Sequence, residues 1–442
     1  MGASPDGEKT DLSTNLDDSK ALYLCNGSKP WLGTTEVSTC GRPLRASLRS
    51  AANVYFAIVR SSIYLPRSSG KAPPDLILLF EKPPISSWVN ILRGVDISLE
   101  QIDPKEIRRQ YPQLLEEYSD DQIIEALGVV LGVIPNQENE YQLSAEEEDQ
   151  ETAFRRVEFN TLRTERNEEY LSIKATETSY YEKQIGMFFK RITLIDKLRE
   201  TRVLSGFTRV FPETDQEFSE LNSMLWRHTP EHKASWLPAQ IVYGEGIFIE
   251  FNEDILRTWE TKEQVTARIE PLIRRYQNVQ AQRHLKIRSL IPRFIMIHTF
   301  AHLLINRLIF ECGYSSASLR ERLYISANNK YPMGGLLVYT AAGDVEGTMG
   351  GLVRMGKPGN LEPVIGRALE AAAWCSADPV CMEIGGTSGQ GPDSCNLAAC
   401  HNCALVPETT CEEFNRFLDR GLLVGEPDDS KLGYFSHISS IT

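Results

Sequence analysis

Cysteines are the residues of this chain whose type and spacing most plainly predict chemistry. Six of the nine cysteines lie in one short segment near the C-terminus, at positions 375, 381, 395, 400, 403 and 411. Cys400 and Cys403 form a CxxC pair, and a turn of that length can present two thiolates at the ~2.3 Å bond length that zinc requires. Cys375 and Cys381 provide a second pair. The spacing predicts a structural Zn²⁺ held by Cys375, Cys381, Cys400 and Cys403, with Cys411 or His401 as alternative ligands.

These cysteines have two other interpretations. Free cysteines are often small buried apolar residues, and a CxxC pair can be a thioredoxin-like redox centre. The CxxC does not open a clear βαβ helix, and loop-forming glycines separate the two pairs, so we favour zinc. Residues 1–20 contain no apolar signal segment and the cysteine count is odd, so we expect a reducing, cytoplasmic setting.

His298 and His302 have the i, i+4 spacing of metalloprotease zinc ligands on a helix. That chemistry needs a glutamate directly after the first histidine to activate water, and Thr299 stands there. Both histidines share a stripe with apolar residues. We therefore expect packed, hydrogen-bonded core histidines, with a role at a ligand or partner surface as the alternative.

The chain carries no recognisable motif for nucleotide hydrolysis or nuclease chemistry. The glycine-rich GTMGGL string at Gly347 could cradle a phosphate, but it lacks the Lys-Ser/Thr of a P-loop. An HxK at His284 has Ile291 where a phospholipase-D-type motif places aspartate, and there is no GxSxG elbow. Because these motifs are incomplete or missing, the sequence indicates a protein that is not an enzyme by itself.

Charge is distributed unevenly along the chain. The formal net charge is −13, from 47 Lys plus Arg against 60 Asp plus Glu. Two basic windows, 29–71 and 268–293, nevertheless contain one acid each, Glu36 and Glu270. A uniformly basic nucleic-acid coat is excluded, whereas local phosphate contacts are predicted, with a solvated or salt-bridged face as the alternative. The predicted DNA contacts are Arg42, Arg45, Arg49, Arg274, Arg275, Arg283 and Arg288.

The elements that must position these residues indicate an α+β or mixed α/β fold. We expect a mostly helical multi-domain chain with a C-terminal zinc-binding α/β domain. The predicted divisions are a disordered tail over 1–20, a basic and helical region over 21–145, a middle domain over 146–253 and a zinc-binding domain over 254–442.

Several individual elements are also predicted. Residues 86–134 read as helical, with Ser98 and Asp103 as caps. Gly244 and Gly246 predict two short strands about a turn in 240–251. A helical tract over 254–310 is expected to be interrupted near Pro271 and Pro292. Its last part, 290–310, is long enough to span a bilayer but carries charged and polar residues, so we expect a buried helix. A strand over 334–340 and a helix over 361–374 follow.

Several strings along the chain are distinctive. They are PWLG, AANVYFAIVRSSIYLP, KLRETRVLSGFTRV, GEGIFIEF, HTFAHLLI, ECGYSSASLRERLY, GGLLVYT, GTMGGLV, WCSADPVC and NLAACHNCALVPETTCEEFNRFLDR. Together they resemble the DrmB component of DISARM-type bacterial anti-phage systems over roughly residues 21–425. The final part is similar to the MrfA-like zinc-binding domain, which also occurs at the C-termini of some DNA-repair helicases.

The resemblance implies a helicase-associated subunit that works on DNA with a separate superfamily-2 motor, DrmA. Residue by residue, it assigns the zinc pattern to Cys375, Cys381, Cys400 and Cys403, and it makes Cys395 the cysteine least expected to bind metal. Cys25 and Cys40 stay a weaker alternative for a second metal site. The leading hypothesis is an accessory subunit that binds DNA and a helicase. The alternative is a protein-only scaffold stapled by zinc, and a metal-dependent nuclease has no motif to support it.

Overall fold

The computed structural model describes residues 2–3, 9–10, 56–65, 72–93, 99, 102–131, 149–208, 237–283, 285–315, 317–340, 350–436 and 438. Contacts divide the chain into two compact units. One unit comprises Met1–Ser62, Glu200–Val242 and Ile273–Ser289, and the other comprises Ile63–Arg199, Tyr243–Leu272 and Leu290–Thr442. The predicted domain boundaries at residues 20, 145 and 253 stay predictions.

Helices form most of the regular structure in the described residues. The α-helices are α1 Pro74–Glu81, α2 Ile85–Arg93, α3 Pro104–Gln110, α4 Pro112–Leu115, α5 Asp120–Leu131, α6 Gln150–Leu162, α7 Lys183–Gly186, α8 Glu253–Glu260, α9 Glu263–Arg283, α10 Pro292–Cys312, α11 Gly351–Met355, α12 Leu361–Ala373, α13 Val380–Thr387 and α14 Gly421–Val424. Short 3₁₀ turns occupy Thr178–Tyr180, Pro392–Ser394 and Ser430–Leu432.

The strands build one large sheet and one short ladder. They are β1 Gly2–Ala3, β2 Lys9–Thr10, β3 Phe56–Ile63, β4 Arg166–Asn167, β5 Leu171–Thr176, β6 Phe189–Thr208, β7 Ala239–Phe251, β8 Leu319–Ser326 and β9 Met333–Thr340. The sheet order is β4-β5-β6-β7-β9-β8, with β3 also paired to β6, and β1 pairs with β2. The pairs β4–β5, β5–β6, β7–β9 and β8–β9 are antiparallel. Helices packed on an antiparallel sheet confirm the predicted α+β class.

Helices cover both faces of the sheet at β9, in which every residue is buried. Successive strand residues point to opposite faces. A Cβ at Gly334 would meet Leu256 of α8 and Ile297 of α10, whereas one at Gly335 would meet Phe159 of α6. The sheet is therefore a buried middle layer here, which explains why β9 is apolar throughout instead of alternating.

Helices α1 to α5 form a separate small core. Its buried residues are Ala72, Leu76, Ile77, Phe80, Ile85, Val89, Ile107, Leu115, Ile123, Ala126, Leu127 and Val129. Asp103 caps α3 as predicted, because its side chain accepts a hydrogen bond from the Lys105 amide at 3.0 Å. This cap and the apolar spacing confirm the helical prediction for the described residues of 86–134. The other predicted cap, Ser98, lies outside the described residues.

Helix α10 is the central helix of the larger unit. Pro292 is its first residue, where a missing N–H costs nothing, and Gly313 ends it with a left-handed φ of 71°. The helix is long and apolar enough to cross a membrane, yet 72% of its most apolar window is buried inside the protein. Its one fully buried cation, Arg293, is paired with Glu253 and Glu260 of α8. The prediction of a buried helix is confirmed.

An aromatic cluster joins segments that are far apart in sequence. Its members are Phe188, Phe189, Phe251, Phe300, Tyr434 and Phe435. The Phe435 ring centroid lies 4.9 Å from that of Phe188 and 5.2 Å from that of Phe300. Tyr434 packs edge-on to Phe251 at 5.9 Å. The segment after α14 therefore completes the core between α10 and the sheet.

Two predictions about chain breaks are wrong. Residues 240–251 form part of one continuous strand, β7, because Gly244 is required by the neighbouring strand and not by a turn. A Cβ at Gly244 would stand 1.9 Å from the Thr340 carbonyl oxygen. Pro271 lies inside α9 without ending it. Proline has no N–H, so the helical hydrogen bond from residue 271 to the Ala267 carbonyl is missing. Ala267 is exposed, so water can bond this carbonyl instead.

Candidate metal centre

The structure brings Cys375, Cys381, Cys400 and Cys403 together. Cys375 follows α12, Cys381 lies in the first turn of α13, and Cys400 and Cys403 lie in one turn of the loop beyond. All four sulfur atoms lie within 4.8 Å of one another. These are the four cysteines that the spacing of the two pairs predicts as zinc ligands.

The sulfur spacings match those around a tetrahedral metal ion. Four ligands at ~2.3 Å from zinc are separated by about 3.8 Å along the edges of the tetrahedron. The measured Sγ–Sγ distances are 3.5 Å for Cys375–Cys400, 3.8 Å for Cys400–Cys403 and 3.9 Å for Cys381–Cys403. None of these distances fits a disulfide bond of about 2 Å. The donor set and its size fit a closed structural zinc site.

Neighbouring N–H groups support thiolates at this cluster. Backbone amides of Ala377 and Cys400 donate to the sulfurs of Cys375 and Cys403 at 3.4 and 3.2 Å. The Gln390 amide donates to Cys381 at 3.5 Å. Hydrogen bonds of this kind orient metal ligands and stabilise their charged form.

The pKa values of Cys381 and Cys403 are shifted in opposite directions. A hydrogen bond with the Cys403 thiol lowers the pKa of Cys381 to about 5, and the same bond raises the pKa of Cys403. Arg420, itself bonded to the Ala372 carbonyl and to Asp378, also favours the Cys381 thiolate. The lowered pKa of Cys381 favours its thiolate, which is the form of cysteine that binds a metal cation.

The remaining predicted cysteine-region residues lie elsewhere. Cys395 is fully buried, and its thiol donates to the Asp393 carbonyl at 3.4 Å. His401 is exposed and is not among the four. Cys411 belongs to a different group, in which its sulfur, the two imidazoles of α10 and the carboxylate of Glu321 lie within 4.8 Å of one another.

His298 and His302 are buried core histidines, as their apolar stripe indicated. The imidazole of His302 hydrogen-bonds the Ala404 carbonyl at 2.8 Å, and burial lowers the pKa of this ring, which favours the neutral form. Burial also raises the pKa of the Cys411 thiol well above its usual range. Sequence reasoning missed Glu321, because it stands between two arginines in the string LRERLYIS and nothing local marks it as buried.

The arginines of the second basic tract differ in their exposure. Arg268 bonds Asp419 at 2.8 and 3.0 Å and Glu426 at 2.5 Å, and Arg293 is the fully buried cation of α10 described above. Arg274 and Arg288 are exposed, and Arg275 and Arg283 are half-buried. The predicted contacts Arg42, Arg45 and Arg49, and likewise Cys25 and Cys40, lie outside the described residues.

Comparison with known proteins gives two matches. Residues 300–404 match the model of the MrfA Zn-binding domain, a span that contains all four clustered cysteines. The chain is 31% identical over 423 residues to the DISARM protein DrmB of Bacillus paralicheniformis, covering 95% of this chain and 71% of that protein. Together with the two clusters of metal-binding side chains, the domain match fits structural zinc.

Proposed function

The chain belongs to the DrmB family of DISARM defence proteins, and from this premise we propose that it is a non-catalytic accessory subunit of a bacterial anti-phage complex. In this proposal it acts in the cytoplasm, binds DNA without reading its sequence, and docks a superfamily-2 helicase of the DrmA type. The observation that carries the proposal is the alignment with DrmB over 95% of the chain.

We assign the zinc ligands to Cys375, Cys381, Cys400 and Cys403. The assignment is supported by sulfur–sulfur distances of 3.5 to 3.9 Å. Zinc bound there would join the start of α13 to the turn at residues 400–403, two segments that share no continuous regular structure. Its role is to hold the surface of this domain in one conformation, because a closed four-thiolate site leaves no position for substrate.

We assign DNA contact to Arg274, Arg275, Arg283 and Arg288, together with Arg42, Arg45 and Arg49. The assignment is supported by the exposure of Arg274 and Arg288 in a segment that contains a single acid. Arginine side chains in such a tract would bind phosphate oxygens and position the protein without specifying bases. Arg268 and Arg293 are left out because their charges are committed to internal ion pairs.

The DNA proposal is tested by binding measurements across a salt series. Affinity for single-stranded and duplex DNA should fall linearly in a plot of log K against log salt, with a slope of about −0.9 per phosphate contact on B-DNA. Replacing Arg274 and Arg288 by glutamine should weaken binding to all sequences alike and reduce that slope by about 1 per lost contact. Undetectable binding at low salt, with and without the helicase, would refute DNA contact.

A matched control separates local contact from total charge. Lys105 and Arg109 are exposed residues on α3, and their double replacement by glutamine changes the net charge by the same amount. We expect this control to retain wild-type affinity and salt slope. Equal losses in both double variants would mean that the second basic tract is not a specific contact.

The helicase half of the proposal is tested by co-purification. Tagged protein should retain a DrmA-type helicase at a salt concentration that removes DNA. Reversing the charge of Arg274 and Arg275 distinguishes the protein-only scaffold: loss of the helicase with unchanged DNA affinity would favour that alternative. No retention of the helicase by the wild-type chain would refute the partnership.

A further inference from the structure

Four chelating side chains from three segments meet inside the larger unit, away from the four thiols. His298 and His302 occupy successive turns of α10, Glu321 lies on β8, and Cys411 lies in the loop after the CxxC turn. All four are buried, three of them with no exposed side-chain area, and their ligand atoms lie within 4.8 Å of one another. The two imidazoles and the carboxylate are therefore removed from solvent.

The distances between ligand atoms in this group are close to the edges of a tetrahedron around a metal ion. Bonds of ~2.0–2.3 Å from zinc to nitrogen, oxygen and sulfur correspond to edges of about 3.3 to 3.8 Å. The Nε2 atom of His298 lies 3.3 Å from the Cys411 sulfur and 3.1 Å from Glu321 Oε1. The Nε2 atom of His302 lies 3.7 Å from Glu321 Oε2.

The hydrogen bonds of His302 direct a lone pair into this space. Its Nδ1 atom donates to the Ala404 carbonyl, so the neutral ring has no proton on Nε2. That bare nitrogen faces Glu321 Oε2, a carboxylate oxygen, and neither buried atom has a hydrogen-bond partner among the described residues. Two electron-rich atoms face each other, and a cation between them satisfies both.

The sulfur of Cys411 is surrounded as a metal thiolate would be. The backbone amides of Glu413 and Asn415 each donate to it at 3.2 Å. The Glu412 amide likewise donates to Glu321 Oε1 at 3.0 Å. These bonds orient two of the four ligands through the rigid backbone of one loop, which is the second layer of contacts that metal sites use.

We propose that His298, His302, Glu321 and Cys411 bind a second divalent transition-metal ion, with zinc as the fitting metal. One thiolate and one carboxylate neutralise its charge, and two neutral imidazoles complete four-coordination. Nitrogen and sulfur ligands beside one carboxylate group select zinc over magnesium or calcium, which prefer oxygen ligands alone. The site is closed and structural, and the bound metal would hold the loop at residue 411 against α10 and β8.

The competing arrangement is a metal-free hydrogen-bond network. In it the His298 proton sits on Nε2 and bonds Glu321 Oε1, and Cys411 stays a neutral thiol. That network has no role for a cation, so metal content separates the two arrangements. The inference is independent of the proposed accessory function and of the ligands assigned to the four-thiol site.

The first experiment uses the wild-type full chain, purified without chelator. Elemental analysis should find about two zinc ions per chain, one in each cluster. X-ray absorption at the zinc edge should show a mixture of sulfur and imidazole scattering. About one zinc per chain with sulfur scattering alone would overturn the proposal, and this spectrum decides the question whether or not any variant folds.

Variants then locate the second ion. Glu321→Gln retains an acceptor for the Glu412 amide but loses the charged ligand, and Cys411→Ser loses the sulfur. Each should bind about one zinc per chain and should lose the imidazole scattering. Cys395→Ser is the matched control, because Cys395 is also a buried cysteine and lies in neither cluster, and it should retain about two zinc ions. Two zinc ions in both test variants would refute the ligand assignment.

Discussion

Replacing Arg322 by methionine is expected to lower the free energy of unfolding by about 3–5 kcal/mol, because it strands a buried carboxylate. Arg322 of β8 and Glu158 of α6 form a bidentate pair, with Nε–Oε2 and Nη2–Oε1 distances of 2.6 Å each. The side chains are 2% and 0% exposed.

The size of the effect follows from what remains around Glu158. After the replacement its carboxylate retains the Ile63 amide at 3.2 Å and the Tyr324 hydroxyl at 3.4 Å. The charge of Arg155 also acts on Glu158, but Arg155 is paired with Glu412 at 2.6 Å. Two neutral donors and a guanidinium shared with another acid do not replace the bidentate Arg322 for a charge removed from water. A fully buried pair also lacks the solvent screening that weakens surface ion pairs.

The assay is urea unfolding followed by intrinsic fluorescence, with midpoint and m value compared among variants. The double variant Glu158→Leu with Arg322→Met removes both charges and should recover most of the lost stability. Lys174→Met is the control, since Lys174 pairs with Asp196 at the surface, with side chains 69% and 33% exposed. The control should cost at most about 1 kcal/mol.

Two results would refute this reasoning. A loss below about 1 kcal/mol for Arg322→Met would mean that the buried pair contributes no more than a surface pair. A double variant as unstable as the sum of its single variants would mean that the two side chains act independently.

Two further predictions concern the backbone. Gly244→Ala should destabilise the protein by more than about 1 kcal/mol, because its Cβ would lie 1.9 Å from the Thr340 carbonyl oxygen. Gly366→Ala in α12 is the control: its Cβ would meet no atom within 4 Å, so it should be neutral or stabilising by up to about 1 kcal/mol. Equal urea midpoints for the two variants would contradict this prediction. Asp149→Ala removes the N-cap of α6, whose amides donate at 3.1 Å, and should cost about 0.5–2 kcal/mol. Partial burial opposes ionisation of Asp149, but hydrogen bonds from the capped helix lower its pKa overall. The stability that this cap contributes should therefore be present above about pH 4 and lost as pH falls through the folded pKa of Asp149. An effect of Asp149→Ala on stability that does not decline in acid would contradict this prediction.

Features with local signals were predictable from the sequence. The buried α10 follows from one apolar run bounded by Pro292 and Gly313, because both residues act within a single turn of the helix end. The spacing of the two cysteine pairs along the chain predicts a metal site. Asp103 is another such case, since a cap needs only the two residues that follow it.

Features that depend on distant neighbours were not predictable. Gly244 looks like a turn residue, and only the approach of Thr340 shows that it serves a continuous strand. The second cluster joins His298 to a cysteine 113 residues later, and no spacing rule links the two. Arg268 and Arg293 looked like parts of a basic surface, because their acidic partners lie in other segments.

The aromatic cluster has a consequence for protein synthesis. Domains of a growing chain begin to fold from the N-terminal side as they leave the ribosome, at about 5–20 residues per second. Phe251 is translated about 180 residues before Phe435, so the rings that cover it arrive roughly 10–40 s later at those rates. For that interval Phe251 has Phe189 and Phe300 beside it but lacks Tyr434 and Phe435, so we expect the nascent chain to expose part of this aromatic face until its last segment is made.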